Sequence, residues 1–327
     1  MTDTGPILVT GAAGGLGGVG RSVVELLVAR SLPVRAMAHR DDERADALRA
    51  LGVPVVVGDL ARPEDVARAL DGCRRMFFSM SVSPEYLEAA ATVADVARAV
   101  GGAAGDGAGG LETLVAMSQL TVSQMTALRL RESRQQRLHW LSEQVLDWSG
   151  LPVTHVRPTA FLESPLFSAL AAYTLRHDGT LSLPFGSGRT SPMAARDVAR
   201  VVAELLAEPQ AHREHVYELT GPRSQDMTGV AEEYSRALGR DIPYVDVPPQ
   251  WWAEHVLPVA GLAPHARQHI LTLARMHHEN RFDRLTRIVE QVTGFPPQTV
   301  ESYVAEHRDQ FTPVASRPTA GVGGWRR

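Results

Sequence analysis

Residues 9–21 read VTGAAGGLGGVGR, with glycine at 11, 14, 17 and 20 and two more, Gly15 and Gly18, between them. A residue without Cβ lets a chain turn tightly and bring its backbone N–H groups close to a phosphate. Placed between an apolar run and a helical one, this stretch reads as a pyrophosphate-binding turn. A second apolar run ends in His39 and Arg40, followed by Asp41 and Asp42. An arginine there favours the 2′-phosphate of NADP, whereas a carboxylate would accept from the ribose 2′-hydroxyl of NAD. Arg40 stands nearest the strand end, so NADPH is expected ahead of NADH. The aspartates also suit a helix cap, and Arg40 also suits a solvated surface charge. Farther on, His139 and Glu143 are four residues apart on one helix face. Imidazole titrates near neutrality and a neighbouring carboxylate would raise it, which suits a proton donor; an ordinary surface pair has the same spacing.

The elements that must position these residues alternate along the chain. Strands are expected at 7–9, 34–38, 53–57, 75–80, 111–117 and 153–157, each a short, nearly continuous apolar run. Helices are expected after the glycine turn through Arg30, after Asp42, from Pro63, over 85–100 and over 135–148, where Gly150 closes the last. Apolar strands separated by helices mean a parallel sheet covered on both faces, and right-handed crossovers make it a doubly wound Rossmann-type α/β fold. On helix 135–148 the stripe Leu138, Leu141, Val145 and Trp148 is expected to face the core, with His139 off that stripe.

Composition narrows the chemistry. The chain has 327 residues and no lysine, so all 33 basic residues are arginine and Schiff-base chemistry on lysine is excluded. Cys73 is the single cysteine, which excludes an intramolecular disulfide and a cysteine-cluster metal site and suits a reducing cytoplasm. A net charge of −4 carries no electrostatic footprint for nucleic acid, and no apolar run approaches a membrane span. The N-terminus carries neither a basic region nor an apolar secretory segment.

Three motifs, TGAAG after the first strand, GDL at 58–60 and RPTAF at 157–161, resemble the NmrA-like group of atypical short-chain dehydrogenases/reductases. The resemblance runs from about residue 6 to 311 and includes TSPMAARDVARVVAELL, VYELTGP and GFPPQTVESYV. It implies NADP(H) or NAD(H) binding; some members reduce quinones or related acceptors and others only sense the cofactor. The group commonly reads TGATG, two residues, then GR, so Gly15, Leu16 and Gly17 look like an extra triplet. Either the loop bulges or the helix starts a turn earlier. Cofactor contacts are expected at Gly11, Ala13, Gly14, Gly18, Val19, Arg40, Asp59, Leu60, Met80 and Ser81. Asp59 resembles the group's adenine-facing residue, and it also suits a cap for the helix from Pro63. Classical members of the wider superfamily use a Tyr-x-x-x-Lys pair, which cannot exist without lysine. Ser118 stands where they place a serine, and His139 and Glu143 stand where tyrosine and lysine would be expected, making His139 and Ser118 the catalytic candidates. Gln119, Thr159, Phe161 and Glu163, at the carboxyl ends of strands five and six, are expected to wall the substrate pocket, Glu163 as a contact or as a solvent-facing carboxylate.

The organisation expected is a nucleotide-binding core over 1–160, completed by about 190–222. A smaller, mainly helical substrate lobe spans 161–189 and 223–312, and 313–327 form a disordered tail. The stretch LSLPFGSGRTSP reads as hairpin-like, 101–110 as a surface loop, and Trp251 and Trp252 as cleft-lining or packing. His265, His269, His277 and His278 are expected on helix surfaces, with no metal bound. Three functions fit: an NADPH-dependent reductase of a quinone or similar conjugated carbonyl, an NADP(H)-sensing regulatory protein, and a sugar-nucleotide epimerase, which the missing Tyr-x-x-x-Lys disfavours. Partners expected are a small-molecule substrate and either a second copy or a regulatory protein. Arg40→Glu is expected to weaken NADPH binding far more than NADH binding; equal loss of both in a fluorescence titration would remove Arg40 from the 2′-phosphate site.

Overall fold

The computed structural model describes residues 5–14, 18–103, 110–128, 132–213 and 215–312. Residues 15–17, most of the 101–110 loop and the 313–327 tail lie outside the described residues. Nine strands are present among them: β1 (Ile7–Val9), β2 (Val34–Ala38), β3 (Val55–Val57), β4 (Arg75–Phe78), β5 (Thr113–Met117), β6 (Val153–Pro158), β7 (Leu181–Leu183), β8 (Val216–Leu219) and β9 (Tyr244–Asp246). The helices flanking the sheet are α1 (Val19–Ala29), α2 (Glu43–Arg49), α3 (Pro63–Leu70), α4 (Tyr86–Ala103) and α5 (Arg134–Trp148). There follow α6 (Ala169–His177), α7 (Ala195–Ala207), α8 (Met227–Leu238), α9 (Pro249–His255), α10 (Pro264–His278), α11 (Ile288–Thr293), α12 (Val300–Glu306) and α13 (Arg308–Phe311).

Seven strands form one sheet in the order β3-β2-β1-β4-β5-β6-β8, and every pair is parallel. This is the doubly wound arrangement that the strand pattern predicts, with its switch point between β1 and β4. Alternate side chains of each strand serve opposite faces. Val9, Phe77, Val115 and Val156 meet α1, α7 and α11 on one side, while Leu8, Met76, Phe78 and Leu114 meet α3, α4 and α5 on the other. The third and fourth strands are shorter than expected, and β8 supplies the seventh.

The hairpin-like reading of 181–192 fails. β7 pairs with β9 in a separate two-stranded parallel sheet, and Thr190 bridges to Gln225. Around it α6, α8, α9 and α10 enclose a third core that contains Phe167, Phe185, Tyr234, Trp252 and Phe311. Trp252 is fully buried in that core, whereas Trp251 is 42% exposed and stacks on His255.

The predicted apolar stripe of α5 holds at Leu138 and Val145, which pack in the sheet core, and breaks at Trp148, which is 76% exposed, while Gln135, Gln136, His139, Ser142 and Glu143 are buried as well. The helix is covered twice, by α4 on one side and α10 on another, so its buried surface extends past the apolar residues. Ser133 caps it in a reciprocal box with Gln136.

Helix α1 starts at Val19 with Gly18 before it, and the additional triplet, Gly15 to Gly17, lies outside the described residues. Gly20 lies so close to the β1 exit that a Cβ there would stand 2.8 Å from the Ala12 nitrogen and the Gly11 carbonyl. Gly20→Ala is expected to cost about 1–3 kcal/mol, the scale of overpacking a tight contact. Urea unfolding would read it, and a cost below a few tenths would show that α1 can shift freely.

Candidate active site

A cavity of about 570 Å³ opens at the carboxyl ends of β1, β2, β3 and β4. Its base is tied together by Thr10, whose hydroxyl accepts from the Ser79 N–H at 2.9 Å and approaches the Phe77 and Ser79 carbonyls, joining the exits of β1 and β4. Gly11 follows with φ +67°, and a Cβ on it would stand 2.7 Å from the Ser79 carbonyl oxygen. Only glycine suits both demands. Gly11, Ala13, Gly14, Arg40, Asp59, Leu60, Met80 and Ser81 all line the cavity, as does His39. Gly18 and Val19 do not: Gly18 precedes α1 in a left-handed conformation, and Val19 is buried under the sheet.

The second-strand carboxylates are engaged. Asp42 caps α2, accepting from the Arg44 and Ala45 N–H groups, and pairs with the Arg44 guanidinium at 2.8 Å. Asp41 pairs with Arg49 at 2.6 Å. Arg40 is exposed at the rim with no carboxylate partner among the described residues. Arg44 reaches the same rim and was not foreseen, although an arginine four residues beyond Arg40 was the signal for it. Asp59 is not the cap of α3, whose N-cap position is Arg62. Its carboxylate accepts from the Ala61 N–H at 2.9 Å, and its own N–H donates to Asp65. A turn pinned by Gly11 against the β4 exit, a helix start without a side-chain cap and an arginine at the second strand with no carboxylate partner among the described residues fit a dinucleotide carrying a 2′-phosphate.

Beyond the cavity, Ser118 ends β5 and Thr159 follows β6. The Ser118 Oγ, Gln119 Nε2 and Thr159 Oγ1 atoms are buried without a partner among the described residues. Phe161 bridges to Met193 beside them. Glu163 is half-buried and holds the start of α7: both its oxygens accept from the Ala195 N–H, at 3.1 and 3.0 Å. Burial raises its carboxyl above the usual range.

His139 and Glu143 do not form a pair. Glu143 is buried and takes the Arg157 guanidinium in two bonds of 3.0 and 2.5 Å, joining α5 to β6. His139 is buried against Tyr86, ring centroids 4.2 Å apart, and its Nε2 faces the Gln135 amide at 3.1 Å. Burial, and then the neighbouring His269, push its imidazole down to about 3, so it is no proton donor near neutral pH. Tyr86 offers no replacement, because its hydroxyl donates to the Met117 carbonyl at 2.7 Å and burial pushes it far up.

Two of the four α10 histidines are interior rather than on the surface. His277 stacks between Phe185 and Phe282, centroids 4.2 and 4.0 Å away, and donates to the Leu273 carbonyl. His269 faces the Ser133 hydroxyl at 3.1 Å. Among the described residues no group of three or more His, Cys, Asp or Glu is arranged to hold a metal, and no helix is long and apolar enough to cross a membrane.

Comparison with known proteins bears on this site. A family profile described as NAD(P)H-binding matches residues 14–209. An NAD(P)H azoreductase of Xenophilus azovorans is 28% identical over 300 residues, covering 91% of this chain and 97% of the relative. The NADPH complex of a quinone oxidoreductase from Escherichia coli superposes with a TM-score of 0.77 at 21% identity, over 92% of this chain and 99% of that one. The NADP complex of NmrA, a negative transcriptional regulator, superposes with a TM-score of 0.71 at 18% identity, over 93% and 95%.

Three of the buried histidines set a pH dependence of stability. His139 is pushed down to about 3 and His269 and His277 each to about 4, against about 6.5 for an unfolded histidine. Below that value the unfolded chain binds protons that the folded chain refuses, so stability is complete above about pH 6.5 and falls as the pH drops toward 4. Denaturant midpoints across this range should fall with acidification. His277→Phe should flatten the fall, and an unchanged slope in that variant would show that His277 charges within the fold.

Proposed function

From the premise that this chain belongs to the NAD(P)H-binding family and is an NAD(P)H-dependent oxidoreductase, we propose that it uses NADPH to reduce a quinone or a similar conjugated carbonyl. The observation that carries this reading is the pairing of a dinucleotide crevice with a buried imidazole and a buried phenol, His139 and Tyr86, that are both held neutral. Such a site suits an acceptor that needs no protein acid. Reduced nicotinamide, when bound, supplies two electrons and one proton as hydride. A conjugated carbonyl spreads the incoming electron pair onto its oxygen, and water provides the second proton, so that one NADPH and one proton are consumed per acceptor.

The protein's part is binding and orientation. The Gly11 turn and the start of α1 hold the pyrophosphate, Arg40 with Arg44 at the rim meets the 2′-phosphate, and Met80 and Ser81 lie along the cavity toward β5. Ser118, Gln119 and Thr159 present polar atoms where the strands end, and Phe161 adds an apolar wall. The absence of a titrating donor beside Ser118 also suits the second reading, a protein that binds NADP(H) and reports its redox state without turnover.

Single-turnover NADPH oxidation separates the two. With protein in excess over cofactor and a panel of quinones, enones and azo dyes, loss of nicotinamide absorbance that requires both protein and acceptor is the expected result. NADPH bound by fluorescence and unconsumed across the panel would overturn the reductase in favour of the sensor. Preferential consumption with azo dyes would keep the oxidoreductase and replace its substrate.

A further inference from the structure

Gln135 lies at the first turn of α5 with its side chain fully buried and both ends bonded. The Ser83 backbone N–H, which can only donate, faces Oε1 of Gln135 at 3.3 Å, and this identifies that atom as the carbonyl oxygen. The same oxygen accepts from Nε2 of His265 at 2.8 Å. The other end of the amide is therefore its nitrogen, 3.1 Å from Nε2 of His139. An amide nitrogen donates, so Nε2 of His139 accepts and the single proton of the neutral ring sits on Nδ1. That Nδ1 is buried and has no partner among the described residues. A buried donor without an acceptor is rare in a folded protein and calls for a functional reason.

The position supplies one. Ser83 belongs to the cavity wall, so His139 is one side chain removed from it through Gln135. On its other side the ring packs on Tyr86, whose hydroxyl is bonded to the carbonyl of Met117, the residue before Ser118. The Ser118 hydroxyl is likewise buried and unpartnered. Both unpartnered donors belong to residues tied to the end of β5, Ser118 directly along the chain and His139 through Tyr86.

We propose that the Nδ1–H of His139 and the hydroxyl of Ser118 bind the acceptor's carbonyl oxygen and stabilise the negative charge it gains as hydride arrives, and that Gln135 is the positioning residue that fixes this tautomer. The proposal rests on the reductase reading above. Neither donor gives up its proton: the electron pair of the C=O bond moves to oxygen, and the oxygen is protonated afterwards by water. The donor role takes the place of the proton-donor role that the spacing of His139 and Glu143 suggests.

The test compares three replacements of the ring in the full chain, with NADPH affinity and thermal midpoint as controls for folding. His139→Ala should lower kcat for a quinone by about 10²-fold, the scale of losing one oxyanion donor. His139→Asn, whose amide nitrogen takes the place of Nδ1, should recover most of that loss, and His139→Gln, whose amide takes the place of Nε2, should not. Gln135→Glu offers His139 an acceptor, moves the proton to Nε2 and should lower kcat to a similar extent with NADPH affinity kept. Nitrogen-15 spectra of histidine-labelled protein should show His139 protonated on Nδ1 in the natural chain and on Nε2 in Gln135→Glu. Equal kcat for His139→Ala and His139→Asn, or a proton on Nε2 in the natural chain, overturns the proposal while the reductase stands. Should no acceptor be reduced, the reductase reading falls, and the donor is judged by 1-naphthol titrated into the NADP⁺ complex. A tenfold weaker affinity in His139→Ala supports it, and unchanged affinity overturns it.

Discussion

The crevice depends on one close approach of backbone to backbone. Gly20 lies on the Gly11–Ala12 peptide and Gly11 lies on the Ser79 carbonyl, with no room at either place for a Cβ. Thr10 holds the same junction from within, bonded to the N–H and C=O of Ser79. These contacts draw α1 down onto the switch point of the sheet, so the helix start, the turn and the β4 exit share one wall of the cavity. Every one of these contacts is made by residues outside the stretch 15–17.

How legible each feature was depended on the range of the contacts that make it. The strands of the main sheet stand out because a parallel sheet buried on both faces needs apolar residues at successive positions. The Asp42 cap is equally legible, since its partners are two and three residues away. Glu163 is the opposite case: a carboxylate after a strand reads the same whether it faces water or holds the first N–H of a helix that begins at Ala195. The polar interior face of α5 was hidden for the same reason, since its second cover, α10, comes more than a hundred residues later. His277 needed two distant phenylalanines to become an interior residue, and β7, only three residues long, is too short for a periodic signal.

On α5 a carboxylate and an imidazole one turn apart take separate partners. Glu143 is the one charged group on the inner face of α5, and it is matched by Arg157 across to β6 instead of by the imidazole one turn away. Burial keeps His139 uncharged, and the carboxylate one turn away is committed to Arg157. A lysine-free chain thereby builds a polar site without the cation that the superfamily usually places on this helix.

The β7–β9 pair constrains how the molecule comes apart. Between those two partnered strands the chain leaves them, lays α7 against the main sheet, adds β8 to its edge, and only then returns through α8 to β9. The smaller sheet therefore closes a loop of chain that carries α7 and β8, the last strand of the larger sheet. The two cores are interlaced rather than strung in series, which favours a single cooperative unfolding transition over stepwise loss of one half.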